Sequence, residues 1–276
     1  MSRPPGILRL DMADPRGRGR RIPVWLYRPA RFAPDGHIVI VMHGLRRDAS
    51  DYCAAWAQEA ERHGLLVVAP EFTDEAYPSA REYNHGDVLA ADGRLRPRSE
   101  WLFPIIDPVF DFVRRETGAE RSRFCLYGHS AGGQFVHRLA SLAWSPRIEL
   151  AISANAGSYS LPRFDVDYPF GLGGMGLPQA ALPELLARPL VVLVGARDND
   201  PDHPNLPRHP AAMRQGPHRY ARGLHYVESA RAAAAAAGVA LRWRLVVVPG
   251  VGHSNAGIAP FAARLCAGLP IEAPQG

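Results

Sequence analysis

Arg123-Phe-Cys-Leu-Tyr-Gly-His-Ser-Ala-Gly-Gly-Gln-Phe-Val-His137 passes from an apolar run, through Gly128-His129-Ser130-Ala131-Gly132, into residues with helical spacing. A G-x-S-x-G pattern between a strand and a helix puts its serine at the tip of a sharp turn, in strained backbone. Glycines two residues to either side let strand and helix pass without a Cβ clash. Ser130 is therefore expected to raise its hydroxyl above a sheet, with the N-terminus of the next helix aimed at the reacting atoms. Five such residues also describe an ordinary glycine-rich β-α connection, so the context decides between the two.

That context is an alternation of strands and helices. Residues 38–42 are five consecutive apolar, mostly β-branched residues, the pattern of a strand covered on both faces. Similar runs occupy 65–69, 123–127, 150–154, 190–194 and 242–248, and helical spacing marks 49–63, 101–117, 133–142, 219–237 and 257–268. Strand, helix, strand in succession predicts a parallel sheet. Two short runs, 7–11 and 22–27, add an edge hairpin in which Pro23 suits an edge strand. The expectation is one α/β domain over residues 1–276, with about eight strands, helices on both faces and no large separate cap. The irregular stretches 70–97 and 158–189 are long enough to fold over a site.

Composition narrows the class. The chain of 276 residues is 47% apolar, enough for a large core. Its net charge of +5 rests on 32 basic residues, every one an arginine, which reads as compositional bias rather than as a nucleic-acid footprint. The basic cluster Arg16-Gly-Arg-Gly-Arg-Arg21 reads as a solvated turn before a strand. Three cysteines, few, odd in number and far apart, suggest no disulfide framework and favour a reducing compartment. The first ten residues lack the apolar core of a secretory leader, and no run approaches membrane-spanning length, so a soluble cytoplasmic protein without nucleic-acid or membrane partners is expected.

The chemistry-bearing residues fall at strand ends: His43-Gly44, Ser130, Asp198 and His253 each follow one. In a parallel sheet these carboxyl ends share one side, where ligands bind. Ser130, Asp198 and His253 stand in the order serine, acid, histidine, and here the chain resembles the α/β-hydrolases, from about residue 22 to 269. Within them it is similar to the esterase and polyhydroxybutyrate-depolymerase-like branch, on Val41-Met-His-Gly44, Pro70-Glu-Phe72, Tyr83-Asn84, Asn155-Ala-Gly157 and Gly195-Ala-Arg-Asp198. Neither a leader nor an appended binding module is visible, which speaks against an insoluble polymer as substrate.

A weak hydroxyl nucleophile needs a base, so His253 is expected to take the Ser130 proton and Asp198 to hold the imidazole tautomer. Asp200 and Asp202 stand as alternative acids; the resemblance favours Asp198 through its G-x-x-D position. The same carboxylate cluster fails as a calcium loop, with His203 and His209 where glycine and glutamate are required, and no metal or cofactor is expected. Two backbone N–H donors must meet the developing oxyanion: Ala131, and Leu45 with Arg46 as alternate. His43, Arg46, Tyr83, Asn84, His129, Asn155 and Tyr159 are candidates to shape the pocket, with His43 bracing the oxyanion loop. Arg46 and Arg47 offer attraction for a carboxylate-bearing substrate, while His203, His209, His218 and His225 are expected in solvent.

The expected function is cofactor-independent hydrolysis of a carboxylic ester, small or oligomeric and anionic in one version, through an acyl-enzyme. Amide, peptide or thioester hydrolysis on the same residues is the alternative within enzymes. The alternative of another class is a non-catalytic binder on the same scaffold.

Overall fold

The computed structural model describes residues 6–271; the first five residues, inspected above for a leader, and the last five lie outside them. In chain order the strands are β1 Gly6–Ala13, β2 Arg21–Arg28, β3 Ile38–Met42, β4 Leu66–Pro70, β5 Phe124–His129, β6 Ile148–Ala154, β7 Leu190–Gly195 and β8 Arg244–Val248. The helices are α1 Ala49–Ala55, α2 Ala57–His63, α3 Ile106–Thr117, α4 Ala131–Leu142, α5 Leu182–Leu186, α6 Pro210–Met213, α7 Arg219–Ala237 and α8 Asn255–Cys266. One eight-stranded sheet runs in the order β1-β2-β4-β3-β5-β6-β7-β8. The β1/β2 and β2/β4 pairs are antiparallel, and the five pairs from β4/β3 to β7/β8 are parallel.

The sheet separates two apolar layers, and the period of two along a strand assigns side chains to them. In β3, Ile38, Ile40 and Met42 join the layer under α3, α4 and α7, while Val39 and Val41 join the layer under α1, α2 and α8. Every β3 residue is thereby buried, as a run of β-branched residues requires. Each such side chain contributes about 1.5–3 kcal/mol of transfer free energy, so the central strands cannot slip register cheaply. β1 alternates between half-buried and exposed residues and closes the sheet as its edge.

Three expectations are corrected. The helix expected over 49–63 is divided at Trp56, whose fully buried indole packs edge-on against Tyr127 with ring centroids 4.8 Å apart. Pro23 lies in β2, which β1 and β4 flank on both sides. It is tolerated there because the β4 ladder ends at Pro70, opposite Val24, and the Pro23 carbonyl accepts the next N–H, from Glu71.

The third correction concerns the cysteines. Cys125 of β5 and Cys266 of α8 form a disulfide across 141 residues of sequence, and Cys53 is free and buried. Distance in sequence gave no hint of it, because the two meet only once α8 has packed on the sheet face beneath β5. The bond fastens the helix that follows His253 to the strand that presents Ser130. A loop of this length constrains the unfolded chain strongly, by about 2–5 kcal/mol in comparable cases. Cys266→Ser should lower Tm by roughly 5–15 °C in a non-reducing thermal melt; a Tm unchanged from the parent would contradict a formed bond.

Candidate active site

β5 leaves the sheet at His129 and α4 begins at Ala131, so Ser130 alone makes the turn, at φ 59° and ψ −115°. Only close packing sustains a β-carbon residue there. A Cβ on Gly128 would stand 2.2 Å from the Gly132 carbonyl oxygen, and one on Gly132 would stand 2.1 Å from the Met42 oxygen. The two glycines thus allow β5, α4 and the end of β3 to touch backbone to backbone. Ser130 N–H donates to the Ala154 carbonyl at 2.9 Å, fixing the turn against β6. The first N–H groups of α4, beginning with Ala131, have no intrahelical acceptor and point at the space above Ser130.

Three strand ends converge on that hydroxyl. His253 Nε2 stands 3.1 Å from Ser130 Oγ, and its Nδ1 stands 2.7 Å from Asp198 Oδ2. A carboxylate oxygen only accepts, so Nδ1 carries the proton and Nε2 is free to receive one. Asp198 is buried, whereas Asp200 and Asp202 are exposed and bond within their own turn. Its second oxygen faces Arg219 Nη1 at 3.5 Å, and Arg219 Nη2 is 3.3 Å from His203 Nδ1.

The loop after β3 is braced from beneath. His43 is fully buried; its Nε2 accepts the Phe72 N–H at 2.9 Å, so Nδ1 carries the hydrogen and donates to the Gly44 carbonyl at 2.9 Å. Burial lowers its pKa to about 3, and the ring stays neutral. Tyr83 stacks on it with centroids 4.6 Å apart and donates its hydroxyl to the His43 carbonyl at 2.8 Å. Leu45 and Arg46 follow, exposed, beside Ser130.

A cavity of about 840 Å³ opens over Ser130. Arg46, Asn84 and His129 line it, together with Tyr52, Arg81 and Gln134. Four pocket candidates lie behind its wall instead. His43 and Tyr83 support the loop as above. Tyr159 is buried against Tyr226, with centroids 4.5 Å apart. Asn155, at φ 45°, is a clamp: its Oδ1 accepts the Gly195 N–H at 2.8 Å and its Nδ2 donates to the Gly252 carbonyl at 3.2 Å. One amide thereby ties the loops carrying Asp198 and His253. Arg47 is no free cation either: it is buried, donates to the Phe72 and Tyr77 carbonyls at 3.1 and 2.9 Å, and covers the Tyr83 ring.

Of the histidines expected in solvent, His209 and His225 are exposed and His203 and His218 half-buried; His203 and His209 also line the cavity, while His218 caps α7 by accepting the Ala221 N–H. Sequence reading missed Tyr52, Gln134 and Arg219. Tyr52 places its phenol between the His129 ring, at 3.1 Å, and Gly44. Its position on a helix face at ordinary spacing carried no signal. Among the described residues no three His, Cys, Asp or Glu side chains are grouped to hold a metal ion.

Burial depresses the pKa of His43 to about 3 and those of His129 and His137 well below 6.5. Below pH 6.5 the unfolded chain takes up protons that these folded rings refuse, so stability falls on acidification by about 1.4 kcal/mol per pH unit for each ring. The urea midpoint should drop between pH 7.5 and pH 5, and equal midpoints would refute the neutral assignment. Asn155→Ala strands the buried Gly195 N–H, a loss of about 1–3 kcal/mol, and frees the His253 loop. Its kcat should fall more than its KM rises, and a variant with parental kcat would show that the clamp is dispensable.

Comparison with known proteins agrees with the geometry. No protein-family model and no curated protein matches the chain. Among solved structures, a poly(3-hydroxybutyrate) depolymerase, LpqC, from Bordetella parapertussis is 41% identical, covers 95% of this chain and 90% of its own, and superposes with a TM-score of 0.89. Poly(aspartic acid) hydrolase-1 from Sphingomonas sp. KT-1 is 37% identical over 95% of this chain and 98% of its own, with a TM-score of 0.90. An S-formylglutathione hydrolase from Agrobacterium tumefaciens, 14% identical with a TM-score of 0.60, covers 95% of this chain and 94% of its own and shares the fold. With its strand order, its serine turn and these relatives, the chain belongs to the α/β-hydrolase superfamily of serine hydrolases, in the branch of esterases and polyhydroxybutyrate-depolymerase-like enzymes.

Proposed function

We propose that this serine hydrolase cleaves carboxylic esters through an acyl-enzyme formed on Ser130. The observation that carries the reading is the hydrogen-bonded line Asp198, His253, Ser130, with links of 2.7 and 3.1 Å. His253 Nε2 takes the hydroxyl proton as Oγ attacks the ester carbonyl carbon, and Asp198 stabilises the imidazolium that forms. The N–H groups of Ala131 and Leu45, with Arg46 as alternate, meet the oxyanion, each such donor contributing on the order of 10²–10³ in kcat. As the tetrahedral species collapses, the carbonyl carbon's bond to the alcohol oxygen breaks and His253 returns its proton to that oxygen. Water, deprotonated by the same ring, then attacks the acyl-serine and releases the acid.

The substrate is a small or oligomeric ester. The cavity, at about 840 Å³, has room for several monomer units. Arg46 at its mouth adds attraction for an anionic substrate. A second reading, amide cleavage on the same residues, is favoured by the 37% identity to a poly(aspartic acid) hydrolase. The disulfide also revises the expected compartment: such bonds persist in oxidising surroundings, and we infer one of these in place of the cytoplasm. No described helix is long and apolar enough to cross a membrane.

Ser130→Ala should lower kcat on 4-nitrophenyl butanoate by on the order of 10⁶. Comparing matched ester, thioester and amide substrates by kcat/KM should place the ester first; a clear lead for the amide selects the second reading. A crystal with intact ester bound beside unmodified Ser130, in a protein that turns over none of the three, would establish a binder.

A further inference from the structure

The loop between β7 and α7 brings two side chains to His253. Asp198 meets its Nδ1, and His203 sets its ring edge-on to the His253 ring, with centroids 5.3 Å apart. His203 is half-buried and lines the cavity. Its Nδ1 faces two donors, the Asn205 N–H at 3.2 Å and Arg219 Nη2 at 3.3 Å. A backbone N–H and a guanidinium only donate, so Nδ1 accepts from both and the ring hydrogen sits on Nε2. Burial, Arg219 and His253 lower the pKa of His203 below its ordinary value, which keeps the ring neutral.

Nε2 has no hydrogen-bond partner among the described residues and is not among the polar atoms sealed in the interior, so its N–H opens on the cavity. Arg219, only 1% exposed, also sets Nη1 3.5 Å from Asp198 Oδ1. One buried guanidinium thus orients both Asp198 and this donor. Sheet order decides which part of a substrate passes His203. Leu45 follows β3, on one side of β5, while His203 and His253 follow β7 and β8, on the other. An ester whose carbonyl oxygen turns to the Ala131 and Leu45 N–H groups leaves its alcohol oxygen on the His253 side, where that ring returns its proton. The rest of the alcohol then runs along the wall that His203 forms.

We propose that His203 is a specificity-determining residue for the alcohol part of the ester, its Nε2–H donating to a carbonyl or carboxylate oxygen there. The proposal rests on the serine-hydrolase reading above and adds the class of alcohol that the site takes. A purely alkyl alcohol displaces water from the N–H and offers no acceptor in return, a loss that hydrogen-bonding sites convert into discrimination. A cationic alcohol sets a second positive charge near Arg219. Arg219, donating to Nδ1, withdraws electron density from the ring and so strengthens the N–H opposite.

The test compares butanoate esters of 1-propanol, hydroxyacetone, glycolate and choline, which share an acyl part and differ in whether the alcohol carries no acceptor, a carbonyl, a carboxylate or a cation. Each kcat/KM, followed as butanoate release, is divided by the ester's rate with hydroxide, which removes differences in leaving-group reactivity. The hydroxyacetone or the glycolate ester should lead the propyl and choline esters by about tenfold or more, and whichever leads identifies the group. His203→Phe keeps a ring against His253 and removes both nitrogens, so the lead should shrink below about threefold; His203→Gln, which carries an amide N–H near the place of Nε2, should keep about fivefold. Each lead is a ratio within one protein, so a general loss of activity cancels. In Ser130→Ala, where no ester is cleaved, the leading ester should bind more tightly than the propyl ester by NMR titration, and adding His203→Phe should abolish the difference; this reads the contact even where His203→Phe turns over nothing. Equal efficiency on all four esters overturns the proposal and leaves the serine-hydrolase reading intact. A lead that survives His203→Phe, or one lost equally in His203→Gln, also overturns it. Failure to hydrolyse any of the four, with Ser130 unreactive to a fluorophosphonate, overturns the reading beneath.

Discussion

The backbone at Ser130 is held where a residue with a Cβ rarely rests, at φ 59° and ψ −115°, and the rest of the site is arranged around that fact. Such a turn costs about 1–3 kcal/mol and persists only when its surroundings leave no alternative. Here they are backbone: Gly128 against Gly132, Gly132 against Met42, and the Ser130 N–H on the Ala154 carbonyl. β3, β5, β6 and α4 must therefore all be in register before the hydroxyl points anywhere useful. The apolar layers on both faces of the sheet supply the energy for that registration, and the disulfide and the Asn155 amide extend it to the loops that carry Asp198 and His253.

Electrostatically the site sorts its histidines by environment. His43 and His129 are buried with their nitrogens occupied, and desolvation keeps them neutral. His253 sits half in the cavity, between a buried carboxylate and the serine hydroxyl. There the ring has both a nitrogen turned to the serine hydroxyl and a carboxylate able to stabilise its charged form. Arg219 completes this by standing at the far oxygen of Asp198. In the proposed reaction, cation and carboxylate together leave the imidazolium as the one additional charge to be accommodated during proton transfer.

Much of the fold was legible because burial writes itself into short β-branched runs: Ile38-Val-Ile-Val-Met42 and Leu190-Val-Val-Leu-Val194 have no reading in water. Ser130, Asp198 and His253 were legible for a related reason, since each ends such a run in a loop of glycine and polar residues. What stayed hidden are pairings made across the sheet. Cys125 with Cys266, Asn155 with Gly252, and Arg138 with Pro169 depend on which faces meet, and a period along the chain carries no information about that. Arg47 shows the converse error. An arginine beside a candidate oxyanion loop looks like a substrate contact until its guanidinium is found spent on the Phe72 and Tyr77 carbonyls.

The central claim is that one hydroxyl, at Ser130, becomes covalently acylated. Peptide mapping by mass spectrometry, after reaction with a fluorophosphonate or after acid quenching during turnover of a slow ester, tests it directly. The account predicts a single adduct, on the peptide containing Gly128-His-Ser-Ala-Gly132, absent when Ser130 is alanine. An adduct on another residue, or rapid ester hydrolysis with that peptide never modified, would contradict it.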